Sequence, residues 1–391
     1  MYITGSIFIS LGIFGLLYTY LLYNLLLLVW SKINPKKINT KDDFIKSITI
    51  IISAHNEENL IDKAINSIFE SNYPKELIKV IVGSDGSNDK TFEICKTLEE
   101  KYNSLYKNGE KKIIECFDFP RAGKNATLNK LTPLAKTDLI CFMDADVVLD
   151  VNSIKKIVSN FADENIGAVI APMVYIENVT ELNAGFYGEK LYQSFESLTK
   201  KYESDVWSTV NSLGAFYCVR KSLYNPLKND KVCDDLIPIL DVNLAKKRAI
   251  YEMNTCVYEI RRKSLNNELN RRIRVSSGTM EALWETRKIL FTNSFRLSFF
   301  VFSHKIMRYL TPLFLLFIFV GTLLILHTGL IAYLLLLLQV IFLLLAFIGY
   351  LFEEDKIKFT PAQLSIYFLT MNLGFVLAFV MFLRRKTTST W

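Results

Sequence analysis

Residues 138–146 read Asp138-Leu139-Ile140-Cys141-Phe142-Met143-Asp144-Ala145-Asp146, an apolar run of strand length that ends on two carboxylates. Side chains alternate along a strand, so Asp144 and Asp146 can face one common point. In an open parallel sheet, ligands bind beyond the carboxyl ends of the strands. Two hard oxygen ligands at that position suit Mg²⁺ or Mn²⁺ carried by a diphosphate. On this motif alone, a strand that ends in a polar turn is the simpler interpretation.

Strands and helices alternate on both sides of this run. Residues 48–54, 77–83 and 112–117 read as strands, and helices are predicted to begin after the first two. Such alternation is typical of a doubly wound, mostly parallel α/β sheet. We therefore predict one α/β domain over residues 44–262. Further elements predicted inside it are a helix at 125–135, an amphipathic helix at 182–202 and a buried strand at 213–219.

The composition indicates a membrane protein. The chain has 391 residues, of which 51% are hydrophobic, and a mean hydropathy of +0.23. Residues 7–30 carry no charge and can span a bilayer, so we predict an N-terminal transmembrane helix over residues 1–31. This run is too long for a signal peptide, and no small-residue cleavage site follows it. Four lysines between residues 32 and 41 place the following domain in the cytoplasm by the positive-inside rule.

The C-terminal part contains three further apolar segments. They cover residues 310–326, 331–351 and 364–383, within a predicted transmembrane region at 307–384. With the α/β domain in the cytoplasm, three full spans would leave Arg384-Arg385-Lys386 outside, against the charge rule. One of these segments is therefore expected to be re-entrant or interfacial.

A basic and amphipathic segment at 263–306 lies between the α/β domain and these spans. An amphipathic, aromatic-rich helix is predicted at 280–300, either in the membrane interface or packed on the soluble domain. Its basic stretch begins just before the segment and favours anionic lipid headgroups as a contact. The basic residues of this stretch are Arg261, Arg262, Lys263, Arg271, Arg272 and Arg274.

Several classes of function are disfavoured by composition. The net charge of +7 is modest and the basic residues adjoin apolar segments, which fits a lipid bilayer better than nucleic acid. The six cysteines are scattered without a Cys-x-x-Cys pair, as expected for reduced thiols in the cytosol. With only three histidines, a zinc site is not expected.

The predicted strand ends carry polar groups that together suit a nucleotide-sugar. Asp85 can accept a hydrogen bond from a base N–H, and Gly86 permits close approach of the backbone. Lys124 follows a glycine at a helix start and can offset the charge of a diphosphate. A metal would bridge the diphosphate to Asp146 and stabilise the departing nucleotide. The polar groups are Ala54-His55-Asn56-Glu57, Asp85-Gly86-Ser87, Arg121-Ala122-Gly123-Lys124 and Asp144-Ala145-Asp146.

These motifs, in this order, resemble family 2 glycosyltransferases with a GT-A fold. The resemblance extends to membrane-embedded members of the hyaluronan, cellulose and poly-N-acetylglucosamine synthase type, and it covers roughly residues 45–315. The motifs that carry it are Ile52–Glu58, Gly83–Ser87, Gly123–Asn129, Asp144–Asp146, Gly188–Tyr192 with Glu196 and Glu203, Gly214–Tyr217, Cys233–Asp235, Arg271–Val275 and Ser303–Lys305 with Arg308 and Pro312.

The resemblance implies a role for each candidate residue. Asp85 holds the uridine, Asp144 and Asp146 bind nucleotide and metal, and Asp235 is the general base for the acceptor hydroxyl. Asp234 belongs to the acceptor side. The remaining residues implied in nucleotide-sugar binding are Ala54, His55, Glu57, Lys124, Arg271, Arg272 and Arg274, and the remaining acceptor-side residues are Gly214 and Ala215.

Two departures from the family pattern concern the acceptor. Cys233-Asp234-Asp235 stands where these enzymes carry Thr-Glu-Asp, which keeps the final aspartate. Val275 stands where processive enzymes carry a tryptophan that helps to hold the acceptor or gating loop. Its absence weakens the case for long-chain processivity but leaves sugar transfer intact.

The sequence therefore predicts an inverting transferase that moves a sugar from a UDP-sugar to a hydroxyl at the cytoplasmic face of the cell membrane, with Mg²⁺ or Mn²⁺. A multi-pass polysaccharide synthase acting on a growing glycan is the first interpretation, and transfer of one sugar to a lipid acceptor is the alternative. A receptor or scaffold with an inactive fold is a third, disfavoured by the intact aspartates. A transporter is less favoured, because the apolar cores carry no charge. No sequence signature identifies an export or accessory subunit.

Overall fold

The computed structural model describes residues 1–106, 112–176, 184–212, 214–229, 233–260, 265–291, 294–352 and 360–384. Leu213, at the start of a predicted strand, and the basic residues Arg261, Arg262, Lys263, Arg385 and Lys386 lie outside these ranges. The described residues form two compact units. The helical unit contains residues 1–34, 184–202 and 265–384, and the α/β unit contains residues 35–176 and 203–260.

The α/β unit is built on a seven-stranded, mostly parallel sheet with the strand order β3-β2-β1-β4-β8-β6-β9. Strands β1 to β4 are mutually parallel, whereas β8 runs antiparallel to both of its neighbours. A second sheet has the order β5-β10-β7. The strands are β1 (Ile48–Ala54), β2 (Ile78–Asp85), β3 (Ile114–Phe119), β4 (Leu139–Asp144), β5 (Val147–Leu149), β6 (Ile166–Ile170), β7 (Met173–Ile176), β8 (Phe216–Arg220), β9 (Arg248–Tyr251) and β10 (Val257–Ile260).

Both faces of the main sheet are covered, which confirms the doubly wound class. Along β1, Ile50 and Ile52 belong to one hydrophobic core and Ile51 to a second core on the opposite face. Alternating side chains of a strand point to opposite faces, so a strand buried on both sides is expected to be mostly apolar, with few charged side chains on either face. This requirement explains why β1 is the unbroken run Ile-Thr-Ile-Ile-Ile-Ser-Ala, with every residue buried.

The helices contribute side chains to those two cores and include the candidate membrane-spanning segments. Leu128 and Leu131 of α5 lie in the second core, and Ile61 and Ile65 of α3 lie in the first. The helices are α1 (Tyr2–Leu17), α2 (Tyr23–Ile33), α3 (Ile61–Glu70), α4 (Thr91–Leu105), α5 (Lys124–Leu131), α6 (Ser153–Ser159), α7 (Ala184–Val206), α8 (Leu236–Leu244), α9 (Leu265–Glu285), α10 (Phe295–Phe300), α11 (Met307–Tyr309), α12 (Thr311–Leu324), α13 (Leu330–Leu351) and α14 (Thr360–Leu383).

Three helices in the described residues are long and apolar enough to cross a membrane. They are the continuous helix Tyr2–Ile33, α13 and α14. The pair Phe295–Tyr309 and α12 adds a fourth candidate if it is one span, but it is bent by 54°. At 1.5 Å per residue, the 14 residues of α12 extend only about 21 Å, less than a bilayer core of about 30 Å. A bend and a short helix are features of a broken span or a re-entrant loop.

The predicted single helix at 280–300 is wrong. Helix α9 already ends at Glu285, a 3₁₀ turn follows at Arg287–Phe291, and α10 begins at Phe295. Ser294, directly before α10, has an extended backbone (φ −93°, ψ 91°), which a continuous helix cannot contain. Serine is favoured directly before the first residue of a helix, which agrees with a new helix that begins at Phe295. The hydrophobic periodicity of residues 280–300 therefore comes from two separate helices.

Candidate functional site

The candidate residues of the α/β unit meet at one edge of the main sheet. Ser53 of β1 pairs with Asp144 at the end of β4, and Ala54 pairs with Ser84 at the end of β2. Strand β8 runs in the opposite direction, so its beginning lies at the same edge, with Phe216 opposite Met143. The backbone N–H of Asp144 donates to the carbonyl of Ala215 at 3.1 Å.

The loops after β1 and β2 are joined by reciprocal hydrogen bonds. The N–H of Asn56 donates to Ser87 Oγ at 3.2 Å, and the N–H of Asn88 donates to Asn56 Oδ1 at 2.9 Å. The N–H of Glu57 donates to Thr91 Oγ1 at 2.7 Å. Asn56 adopts a positive φ of 55°, a conformation that asparagine tolerates better than most residues. These bonds hold the two loops in a fixed relation at the sheet edge.

Asp85 ends β2 and is fully buried, with 0% of its side chain exposed. Its carboxylate accepts hydrogen bonds from the loop that follows β3 and from the first turn of α5. His55 lies beside it, with Nδ1 2.9 Å from the Asp85 carbonyl oxygen. The donors to the carboxylate are Ala122 N (2.8 Å), Gly123 N (2.9 and 3.2 Å), Thr127 Oγ1 (3.2 Å) and Arg121 Nη1 (3.3 Å).

Lys124 connects the donor-side and acceptor-side candidates. Its Nζ lies 2.6 Å from Asp144 Oδ1 and 2.6 Å from Asp234 Oδ2. Burial alone would lower the pKa of Lys124, but the two carboxylates raise it above its usual value. The lysine is therefore a fixed positive charge between the end of β4 and the residues that precede α8.

Carboxylates at this edge outnumber that positive charge. Burial raises the pKa of Asp144 to about 7 against the lowering effect of Lys124, and Asp146 and Asp234 add to the rise. Burial also raises the pKa of Glu57 to about 7, with contributions from Asp146 and Asp144. Mutual repulsion of this kind disfavours ionised carboxylates without a cation between them.

The donor set at this edge fits a divalent cation. Asp144 and Asp146 offer hard oxygen atoms of the type that Mg²⁺ and Mn²⁺ prefer. The described part of the chain contains no group of three His, Cys, Asp or Glu side chains that could hold an ion alone. A cation at this edge would therefore take its remaining ligands from a diphosphate or from water.

The acceptor-side candidates lie next to this charge cluster. Asp235 directly precedes α8. A side-chain carbon at Gly214 would lie 3.4 Å from Asp235 Oδ2, and Gly214 has a positive φ of 75°. The Tyr217 hydroxyl donates to the Asp234 carbonyl at 2.8 Å. Gly214, Asp234 and Asp235 thus lie together at one corner of the sheet edge, and their roles as acceptor-side residues and general base stay predictions.

The three arginines of the candidate set lie on α9, in the helical unit. The guanidinium carbon of Arg272 lies 5.0 Å from the centre of the Tyr192 ring, and Arg272 Nη2 lies 3.5 Å from the Tyr367 hydroxyl. Arg272 is buried, whereas Arg271 and Arg274 are half-buried. Their contact with a diphosphate stays a prediction.

Sequence reasoning missed the residues that build the site without facing a ligand. Arg121 and Thr127 lay inside the motifs, yet no role followed from them. For Thr127 the sequence did contain a signal. This residue lies in the first turn of a helix that follows Gly123, where a hydroxyl can donate a hydrogen bond to a nearby carboxylate. The bonds of Asn129 to the segment before Cys233 carried no sequence signal, because they join residues about 100 positions apart; they are Nδ2 to Leu227 O (2.5 Å), Nδ2 to Asn229 Oδ1 (2.8 Å) and Leu227 N to Oδ1 (2.9 Å).

Two family models match this chain. The model described as Glycosyl transferase family 2 matches residues 49–223. The model described as Glycosyl transferase family group 2 matches residues 139–352, more than half of the 391 residues. The first match contains strands β1 to β4 and their polar ends, apart from the first residue of β1, and the second runs from β4 through α13.

Two curated relatives differ in the product that their names describe. Beta-monoglucosyldiacylglycerol synthase of Trichormus variabilis is 30% identical over 122 residues, which are 31% of this chain and 25% of that protein. Poly-beta-1,6-N-acetyl-D-glucosamine synthase of Staphylococcus aureus is 22% identical over 252 residues, 63% of this chain and 58% of that protein. The chain thus spans less than two thirds of the length of either relative.

One solved structure matches along nearly the whole chain. The mannosyltransferase PcManGT from Pyrobaculum calidifontis, in complex with GDP-Man and Mn²⁺, has a TM-score of 0.77 at 19% identity. The match covers 98% of this chain and 99% of that chain. At this identity the likeness establishes a shared fold, and the donor and metal belong to that protein.

Proposed function

Because this chain belongs to the glycosyl transferase family 2 group, we propose that it transfers a sugar from a UDP-sugar to a hydroxyl acceptor with inversion at the anomeric carbon. The observation that carries the proposal is Lys124, whose Nζ lies 2.6 Å from both Asp144 and Asp234. This contact joins the carboxylates proposed for the donor to the corner that contains Asp235. Donor and acceptor groups at one sheet edge are what a direct displacement needs.

The donor is proposed to bind at the ends of β1, β2 and β4. His55, Glu57 and Asp85, with Ala54, form the nucleoside end, and Lys124 neutralises part of the diphosphate charge. Arg271, Arg272 and Arg274 are proposed to add positive charge to the diphosphate. A Mg²⁺ or Mn²⁺ ion held by Asp144 and Asp146 would supply Lewis-acid stabilisation of the leaving diphosphate.

The acceptor reacts at the corner formed by Gly214, Ala215, Asp234 and Asp235. Asp235 accepts the proton of the acceptor hydroxyl while that oxygen attacks the anomeric carbon. The bond between the anomeric carbon and the diphosphate oxygen breaks, and the nucleoside diphosphate leaves. A single displacement of this kind inverts the anomeric configuration.

We place the active site at the cytoplasmic face of the cell membrane, with residues 44–262 as the catalytic domain. The flanking regions are proposed as an N-terminal span at 1–31, an interface segment at 263–306 and C-terminal spans at 307–384. A β-linked polysaccharide is the first proposed product, in line with the name of the staphylococcal relative. Single transfer to a lipid is the second candidate, favoured by the name of the cyanobacterial relative.

The length of the labelled product tests this proposal. Purified protein in lipid receives a panel of UDP-sugars, with GDP-mannose included, and Mn²⁺ or Mg²⁺. A ladder or high-mass product from one UDP-sugar supports a synthase, and a single addition to extracted lipid supports the second candidate. Transfer from GDP-mannose alone overturns the UDP assignment. Absence of transfer and of metal-dependent UDP release, with every donor and acceptor, contradicts the catalytic proposal and favours a scaffold.

A further inference from the structure

Residues 224–229 lead along the chain from β8 towards Asp234 and Asp235, and they form neither a helix nor a strand. Leu227 in this segment is nevertheless buried, with 4% of its surface exposed, in the second core of the sheet, to which α5 also contributes. Buried backbone N–H and C=O groups outside regular structure have to find hydrogen-bond partners elsewhere. The position of this segment therefore depends on the side chains that lie beside it.

Asn129 of α5 pairs with both backbone groups of Leu227. Its Nδ2 donates to the Leu227 carbonyl at 2.5 Å, and its Oδ1 accepts from the Leu227 N–H at 2.9 Å. The same Nδ2 donates to Asn229 Oδ1 at 2.8 Å. Four residues earlier on the helix, Asn125 Nδ2 donates to the Lys228 carbonyl at 3.0 Å. Residues four apart lie on one face of a helix, so a single face of α5 holds this segment.

The same helix contacts the chain again beyond residues 230–232, which lie outside the described ranges. Lys124 is the first residue of α5, and its Nζ lies 2.6 Å from Asp234 Oδ2. Cys233 follows Asn229 by four residues, and a chain of that length spans about 14 Å at most. The acceptor corner is thus connected to α5 at two places, through Lys124 and through the two asparagines.

The two connections differ in their relation to the proposed donor. The Lys124 ammonium is proposed to neutralise part of the diphosphate charge, so the donor competes with Asp234 for it. The bonds of Asn129 contain no group to which the proposal gives a role in donor binding, and they can persist while the donor is bound. A connection that the donor leaves unchanged is what a general base close to that donor needs.

We infer that Asn129 is a positioning residue for the transfer step. It holds residues 227–229 on α5 so that Asp235 keeps its place for the acceptor hydroxyl while Lys124 contacts the diphosphate. The inference rests on the proposed function, because it requires Asp235 as the base and a donor with a diphosphate. It assigns to Asn129 an effect on the rate of transfer and none on the affinity for the nucleotide.

Asn129→Asp tests the inference with almost no change in side-chain size. The carboxylate still accepts from the Leu227 N–H, but it places a second acceptor against the Leu227 carbonyl and Asn229 Oδ1. A displacement of about 1 Å at a reacting group can cost about 10²-fold in rate, and we expect kcat to fall about tenfold. The donor KM, and the affinity of the purified full-length protein for UDP with Mg²⁺ in calorimetry, should stay within twofold. An unchanged kcat, or a UDP affinity that also falls about tenfold, overturns the inference.

Asn103 on α4 provides a matched control, because it makes the same kind of contact at the other end of a strand. It is half-buried like Asn129, its Nδ2 donates to the Ile114 carbonyl at 2.9 Å, and its Oδ1 accepts from the Ile113 N–H at 2.8 Å. Ile114 begins β3, whereas the candidate residues follow the carboxyl ends of the strands. We expect Asn103→Asp to lower the melting temperature about as much as Asn129→Asp and to leave kcat unchanged. An equal fall of kcat in both variants overturns the inference, because it reports a general loss of stability.

A double variant tests whether the effect passes through Asp235. In Asp235→Asn the side chain that Asn129 positions no longer accepts a proton, so Asn129→Asp should add less than twofold to the loss of transfer in that background. Full multiplication of the two losses overturns the inference. Asn129→Ala removes the bonds without adding a charge and serves if Asn129→Asp does not fold. We expect it to lower kcat about three- to fivefold at unchanged UDP affinity, and a loss confined to UDP affinity contradicts the inference for this variant as well.

Failure of the inference and failure of the proposed function give different results. If the unaltered protein neither transfers a sugar nor binds UDP, the proposed function is wrong and the inference falls with it. If the unaltered protein transfers a sugar, Asp235→Asn lowers transfer and Asn129→Asp keeps its kcat, the proposed function stands and the inference alone is overturned.

Discussion

Charged residues are arranged differently in the two units of the molecule. In the helical unit, the buried Glu196 faces His304 Nε2 at 3.1 Å and forms an ion pair with Arg308. Arg308 also donates to the Tyr192 hydroxyl at 3.2 Å. At the sheet edge of the α/β unit, Lys124 pairs with Asp144, but the carboxylates outnumber it. Burial first, and then the neighbouring carboxylates, raise the pKa values of Glu57 and Asp144 to about 7.

This difference distinguishes charged side chains that stabilise the fold from charged side chains that are arranged to bind a ligand. Opposite charges within hydrogen-bond distance satisfy each other, and removal of one leaves the other buried without compensation. Like charges in one place lower stability, and folds retain them where a cation or a substrate completes the set. The paired cluster should therefore respond to mutation in stability, and the sheet edge in activity.

The largest effect is expected at the sheet edge from Asp235→Asn. The amide cannot accept the acceptor proton, and a general base contributes typically about 10²–10⁴-fold to the rate. We expect transfer to fall by about a thousandfold while UDP still binds, as measured by product formation and calorimetry. The matched control is Asp241→Asn on α8, the helix that Asp235 precedes; the Asp241 carboxylate accepts from Asn225 at 3.0 Å. Full activity in Asp235→Asn would rule out the base assignment.

The paired cluster of the helical unit should lose stability instead. Arg308→Met leaves Glu196 with one cationic partner fewer, and breaking a buried ion pair costs about 3 kcal/mol. We expect the melting temperature in detergent to fall by about 5–10 °C. Arg287→Met is the control, because Arg287 is exposed and stacks on Trp284 at 4.9 Å. An equal melting temperature for Arg308→Met and the unaltered protein would contradict the assignment of this cluster to stability.

An intermediate effect on activity is expected from Gly214→Ala. The positive φ of 75° strains any residue with a side chain, at a cost of about 1–2 kcal/mol, and the new carbon contacts Asp235. We expect kcat to fall about tenfold with the donor KM unchanged, because the change lies on the acceptor side. A rise in the donor KM with unchanged kcat would place Gly214 in the donor site.

The sheet edge was largely predictable from sequence because its strands are buried on both faces. Strand β1 was predicted with its observed bounds, and the ends of β2 and β4 were placed within two residues. An unbroken apolar run admits few other structures at this length. Strands β5, β6, β7, β9 and β10 were not predicted, since runs of three to five residues carry little periodicity.

Contacts between distant residues were not predictable in either unit. The position of Lys124 between Asp144 and Asp234 depends on how the chain folds over the roughly 110 residues that separate Lys124 from Asp234. The burial of Asp85 depends on the loop after β3. In the helical unit, the hydrophobic pattern of 280–300 gave no sign of the break before α10. The periodicity of a sequence shows which face of a helix or strand is apolar. It does not show which elements contact each other, and the pairing of polar side chains depends on those contacts.

The smallest effect concerns a paired carboxylate inside the α/β unit, Glu99, whose side chain is 10% exposed. Burial opposes its charge, but the hydrogen bond and charge of Lys96, with Cys116 N–H and Lys112, hold the pKa of Glu99 below its usual value. A lowered pKa in the folded state stabilises the protein above the unfolded pKa, about 4.3, and this contribution is lost as the pH falls through the folded pKa.

We therefore expect Glu99→Gln to lower the free energy of unfolding by about 1 kcal/mol at pH 7, with unchanged transfer activity. The difference from the unaltered protein should begin to shrink as the pH falls below about 4.3, where the unfolded chain binds the proton first, and it is lost as the pH falls through the lower pKa of the folded state. Glu115→Gln is the matched control on the neighbouring strand, because its ion pair with Lys79 is partly exposed and such pairs contribute about 0–1 kcal/mol. Melting curves at pH 7, at pH 4 and at about pH 3 provide the measurement. A loss of transfer activity in Glu99→Gln, with the stability of the unaltered protein, would mean that a paired carboxylate also takes part in the reaction. That result would contradict, within the α/β unit itself, the distinction between paired charges that stabilise the fold and clustered carboxylates that bind a ligand.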